Sequence, residues 1–187
     1  MSKFDRLPQG YASGRMNELD TFGKFLAKEG YQQALEAVET GEKKYVNHSD
    51  SLDLIRRFAT EDPTNPTKQF TRELRLAVID ALKLEEDEDL DRVRFFTAVG
   101  TPADIFHGID GWIEYVQPNG KTVLVTLDTS LRKKEEGEFK ADFIIPEIAD
   151  AVTDGELFDS QVATYGGTIA QRIKDNLESA RPRRRAA

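Results

Sequence analysis

The sequence contains no cysteine and only two histidines, His48 and His107, among its 187 residues. The first absence excludes disulfides, thiolate zinc sites and cysteine nucleophiles; the second excludes a multi-histidine metal centre. A metal held by this chain would be held by carboxylates, which select hard cations such as Mg²⁺, Mn²⁺ or Ca²⁺. No run of about 18 apolar residues occurs, so no membrane span is expected. The first twenty residues have no apolar stretch fit for a secretory signal, and a cytoplasmic location is the expectation. Walker and dinucleotide fingerprints and the Gly-x-Ser-x-Gly elbow are missing as well.

What is abundant is charge, and acid predominates: 34 Asp and Glu against 26 Lys and Arg give a net −8. That balance argues against a surface coated in nucleic acid, while leaving room for a local basic groove. The charge is unevenly placed. Glu85-Glu86-Asp87-Glu88-Asp89 reads as a solvated helix end and loop. Arg181-Pro182-Arg183-Arg184-Arg185 forms a basic tail whose Arg183, Arg184 and Arg185 are candidate phosphate contacts.

Hydrophobic spacing sets the organisation. Leu19, Phe22, Phe25, Leu26, Leu35 and Val38 recur at helical intervals from Met16 to Glu39, with Gly30 a break and Gly41 the stop. A short helix opens at Ser49 or Asp50, and Pro63-Thr64-Asn65-Pro66 marks a loop. Thr67 to Leu84 is the clearest helix, with Phe70, Leu74, Ala77, Val78, Ala81 and Leu82 on one stripe. Val93–Val99, Ile109–Val116, Lys121–Thr129 and Phe143–Ile145 are rich in β-branched and aromatic residues and read as strands. Gln161–Ala180 reads as a last helix, weakened by Gly166-Gly167. These glycines with Thr164 and Thr168 resemble a phosphate-binding turn only faintly. The expected architecture is α/β, bordering on α+β, with a mixed sheet of about four strands flanked by helices. The expected division is a helical segment over 1–62, serving as a cap or protein-partner surface, a core over 63–180, and a disordered tail over 181–187.

The stretch with chemical content runs from His107 to Ser130. Asp110 stands where one strand begins, and Asp128 stands where the next one ends. A hairpin through Pro118-Asn119-Gly120 joins them and makes the two acids neighbours in space. Two adjacent carboxylates repel unless a cation neutralises them. Glu114 shares the face of Asp110 by alternation and is a third candidate ligand. Register decides the matter: a plain two-residue Asn-Gly turn sets Asp110 opposite Thr129, with Asp110 and Asp128 on opposite faces. An odd-length loop or a bulge restores one face. Simpler readings stand beside this one: Asp110 bonded to the backbone of its turn, and Asp128 capping a helix that starts at Leu131. His107 reads as a loop histidine bonded to backbone, with acid–base work as the alternative, and Trp112 reads as core.

A helix carrying Glu73, then Asp110 and Asp128 on successive strands, resembles the PD-(D/E)xK nuclease-like superfamily, whose core runs helix, three strands, helix, strand. The likeness covers the part from Thr67 to about Pro146. It implies a restriction-endonuclease-like fold in which Asp110 and Asp128 bind Mg²⁺ or Mn²⁺, Glu73 assists, and DNA is the substrate. It also implies a lysine two residues past the second acid, where this chain has Ser130; Arg132, Lys133 or Lys134 are the basic residues that follow. The resemblance therefore implies a DNA endonuclease or exonuclease, or a non-catalytic relative that uses the same fold for binding or as a scaffold.

Overall fold

The computed structural model describes residues 9–130 and 140–179, with side chains from residue 14 onward. Arg132, Lys133, Lys134 and the arginines at 183, 184 and 185 lie outside the described residues. The elements are α1 (Gln9–Phe22), α2 (Tyr31–Val38), α3 (His48–Phe58), α4 (Gln69–Leu82), α5 (Asp87–Leu90), β1 (Val93–Thr97), α6 (Pro102–His107), β2 (Gly111–Val116), β3 (Thr122–Thr129), β4 (Phe143–Ile145) and α7 (Gly155–Ser179). Among them no helix is long and apolar enough to cross a membrane.

The four strands form one mixed sheet in the order β1-β2-β3-β4, antiparallel except for the parallel β3–β4 pair. This is the expected α/β class. Alternation along the strands sends Val93, Phe95, Ile113, Val125, Leu127 and Ile145 to one face. There they meet Phe70, Leu74 and Val78 of α4 and Phe158, Ile169 and Ile173 of α7. Phe96 and Trp112 point the other way, against Phe25, Leu52, Ile55 and Ala103. Each fully buried Leu, Val or Ile of these layers contributes roughly 1.5–3 kcal/mol. Trp112 is fully buried and stacks on Phe96 at 4.9 Å with 17° between the ring planes, which makes it core, as its sequence context suggests.

The N-terminal helices belong to this core. Phe22 of α1 is 1% exposed within the α4–α7 layer, and Leu52 and Ile55 of α3 cover Trp112. The run from Met16 to Glu39, expected to break at Gly30, ends its first helix earlier, at Gly23, which adopts φ +77° while Leu19 C=O accepts its N–H; Gly30, at φ +86°, precedes α2. The intervening residues follow the β1 edge, where Phe25 N–H donates to Val99 C=O. Helix α3 starts earlier than expected, at His48, since Asn47 and not Ser49 caps it through Asp50 N–H.

Gly166 and Gly167 do not break α7. The helix continues through both, and Gly166 is where α7 meets α4: a Cβ there would stand 2.5 Å from Ala77 Cβ. The hairpin loop has three residues. Gln117 N–H donates to Lys121 C=O, and Gly120, at φ +80°, supplies the left-handed residue that such a loop needs. Asn119 Oδ1 accepts Lys121 N–H and holds the turn.

Candidate metal centre

The odd-length loop fixes the register that the two acids depend on. Gly111 lies opposite Leu127 and Trp112 opposite Thr126, one residue away from the plain-turn expectation. The pairing ends at Gly111 and Leu127, so Asp110 and Asp128 stand one residue beyond that end of the ladder. Asp110 N–H donates to Leu127 C=O, its C=O accepts Ala98 N–H, and its Oδ2 accepts Thr129 N–H at 2.9 Å. The carboxyl is thus braced by the far strand and not by its own turn. Asp110 is 2% exposed and Asp128 6%.

Two helices bring further acids to this end of the sheet. Phe22 anchors α1 in the core, and one turn earlier Asn17 Nδ2 donates to Thr129 Oγ1 at 2.6 Å, which sets Glu18 beside Asp110. Helix α6 begins with Thr101, whose Oγ1 accepts Ala103 N–H, followed by Pro102 in the first turn. Its Asp104 turns back so that Oδ2 accepts Gly100 N–H at 2.7 Å. Oxygens of Glu18, Asp104 and Asp110 lie within 4.8 Å of one another.

Among the described residues one cation pairs with this group. Arg15 on α1 places a single guanidinium nitrogen 2.7 Å from both Glu18 Oε2 and Asp104 Oδ2. Arg15 pairs with Glu18 and Asp104 and forms no ion pair with Asp110. Burial pushes the Asp110 carboxyl up to about 8, Thr129 N–H works against the rise, and the charges of Glu18, Asp128 and Asp104 add to it. Burial also raises Glu18, against its bond to Arg15. Such a cluster has two chemical uses. Near neutral pH it holds a proton on Asp110, and it offers oxygen-only ligands to a hard divalent cation that would replace that proton.

The other residues singled out from sequence lie elsewhere. Glu73 is half-buried on α4 and pairs with Arg72 at 3.4 Å; the structure does not bring it into the cluster. Glu114 is 4% exposed on β2, on the Trp112 side, and bonds Arg56 Nε of α3 at 2.7 Å. It stands four residues along the strand from Asp110, roughly 13 Å away, and serves the α3–sheet contact. His107 closes α6 with Nε2 2.9 Å from Val46 C=O, the backbone-bonded role expected of it. Ser130 follows β3 and donates its N–H to Ile145 C=O. A helix capped by Asp128 at Leu131 falls outside the described residues.

Sequence reasoning missed Arg15, Glu18 and Asp104. For Asp104 a signal existed: Thr101-Pro102-Ala103-Asp104 has the cap, the first-turn proline and the first-turn acid of a helix start. Glu18 and Arg15 carried none, since they occupy the polar side of an ordinary helix. No protein-family model matches the chain, and no curated protein or solved structure matches it either.

Proposed function

We propose that the Glu18–Asp104–Asp110 cluster is a divalent-cation site and that the chain is a metal-dependent, nuclease-like enzyme hydrolysing DNA phosphodiester bonds. The observation that carries this reading is the buried crowding of acids at Asp110: a carboxyl raised to about 8 by burial and by the charges of Glu18, Asp128 and Asp104, with Arg15 the one cation paired with Glu18 and Asp104 among the described residues. An all-oxygen donor set of three carboxylates suits Mg²⁺ or Mn²⁺. Asp110, Asp104 and Glu18 would hold the ion, and Asp128 deepens the negative potential that attracts it. When bound, the ion supplies Lewis-acid polarisation and charge neutralisation at a phosphate. Arg15 has the donor geometry to bind a phosphate oxygen once freed from the acids. The order α4, β1, β2, β3, β4 supports the resemblance to PD-(D/E)xK nucleases. Helix α6 is an insertion relative to that order, and the connection where the resemblance implies a helix contains 131–139, outside the described residues.

A second reading, a non-catalytic relative acting as a binding or scaffold module, is favoured by the contacts of Arg15 itself. A tethered guanidinium already occupies part of the ground a metal would take.

Calorimetric titration of Mn²⁺ into the wild type and Asp110→Asn, with plasmid nicking on the same samples, separates the readings. Saturable binding and nicking that are both lost in the variant are the expected result. Binding without nicking selects the non-catalytic relative, and wild-type protein that takes up no Mn²⁺ overturns the metal site itself.

A further inference from the structure

Away from the acids, a cavity of about 540 Å³ opens on the outer edge of β1, between residues 23–26 and the 59–68 loop. That volume is typical of sites that take a small ligand. Its inner wall includes Phe25, Phe95 and Phe96, all buried in the fold, so an apolar or aromatic group is the natural content.

The strand edge behind the cavity is incompletely used. Ala98 N–H donates to Asp110 C=O and Val116 N–H to Arg92 C=O, so the even residues of β1 bond to β2 and the odd ones face outward. Along that outward side Arg75 Nε takes Val93 C=O, Pro63 C=O takes Phe95 N–H, and Phe25 N–H takes Val99 C=O. Between them, Phe95 C=O and Thr97 N–H have no partner among the described residues. A carbonyl and an amide two residues apart on one edge are what a parallel strand bonds with the N–H and C=O of a single residue. The gap is one residue wide, and the cavity lies on it.

Charge at the mouth narrows the ligand further. Glu61 and Asp62 border the cavity, but Glu61 accepts the N–H and hydroxyl of Thr67, and Asp62 those of Thr64. Lys24 and Lys68 border it too, and neither side-chain ammonium has an ion pair or hydrogen bond among the described residues. Glu61 and Asp62 keep their charge but turn their oxygens to the threonines, so the side-chain donors left open at the mouth are the two ammoniums.

We propose that this cavity binds the C-terminal residue of a peptide chain, one that ends in an apolar, preferably aromatic, side chain. The terminal residue's N–H donates to Phe95 C=O, and one carboxylate oxygen accepts Thr97 N–H. The carboxylate's charge faces Lys24 and Lys68, and the side chain, level with Phe96, enters on the face of Phe25 and Phe96. The cavity shares no side chain with the acid cluster, so this inference stands whether or not a metal binds there.

The test is an amide-resolved NMR titration of the ¹⁵N-labelled full chain, in EDTA, with acetyl-Gly-Ser-Gly-Ser-Phe bearing a free carboxylate. Saturable shifts centred on Thr97 are expected. The C-terminal amide of the same peptide should bind about tenfold more weakly or worse, as the loss of one charge-assisted bond implies. The double variant Lys24→Gln/Lys68→Gln, checked for a native spectrum, should lose a similar factor. A Thr97 amide that stays unmoved, equal affinity for the amide peptide, or equal affinity for a peptide ending in Asp would each overturn the proposal. So would binding of acetyl-phenylalanine alone with the pentapeptide excluded. The wild-type arms decide the matter even if the lysine variant fails to fold.

Discussion

Replacing Asp110 with asparagine is the perturbation that reads the acid cluster most directly. In the metal-free protein the folded chain keeps a proton on Asp110 up to about pH 8, whereas the unfolded chain releases it near 3.8. Between those values the native state binds the extra proton, so the stability it contributes is complete below pH 4 and is lost as pH rises through 8. At 1.36 kcal/mol per pH unit the full window amounts to on the order of 5 kcal/mol, and the part from pH 5 to pH 8 to about 3–4 kcal/mol. Burial sets most of it, Thr129 N–H opposes it, and the charges of Glu18 on α1, Asp128 on β3 and Asp104 on α6 add to it. Asn keeps the acceptor for Thr129 N–H and removes the titration. Urea denaturation of wild type and Asp110→Asn in EDTA at pH 5, 6.5 and 8 measures the difference. The variant should gain about 3–4 kcal/mol on the wild type across that range, while titrations elsewhere in the chain cancel. A difference constant to within about 1 kcal/mol would refute the claim that burial and the neighbouring acids keep a proton on Asp110.

Adding millimolar Mn²⁺ at pH 8 should raise the wild-type melting temperature and leave Asp110→Asn unmoved, because a bound dication replaces the proton that is otherwise held there. Gly166→Ala should cost about 1–3 kcal/mol by forcing α7 off Ala77, whereas Gly167→Ala, with open space at its Cβ, should stabilise by about 0.5–1 kcal/mol; chemical denaturation checks both. Arg56→Ala should cost about 2–3 kcal/mol by stranding the buried Glu114 carboxylate, and Arg56→Met/Glu114→Leu should cost less than that single change, again by denaturation.

The element types are legible in the sequence where periodicity is strong. Phe70, Leu74 and Val78 announce α4, and the β-branched runs announce the strands. What periodicity does not carry is where an amphipathic helix docks. Phe22, Leu52 and Ile55 mark apolar faces without saying that these faces close both sides of the sheet, so a helical appendage was the natural reading. Gly166 illustrates a second limit, since a glycine that breaks an isolated helix also permits a close crossing, and only the partner Ala77 distinguishes the two. The acids follow the same pattern. Asp110 and Asp128 are joined by local hairpin geometry and can be paired from sequence once the loop length is known. Glu18 and Asp104 arrive from separate helices more than 80 residues apart, through tertiary contacts that no spacing encodes.

Arg15 has a consequence for selectivity. A cation fastened to the site by its own backbone competes at an effective concentration on the order of millimolar or above, with no diffusional entropy to lose. Sodium or potassium, each bearing one unit of charge, offers the cluster nothing that the guanidinium does not already supply. In the proposed metal site a dication would bring a second unit and more oxygen contacts at short range, so the cluster would sort cations by valence before it sorted them by size.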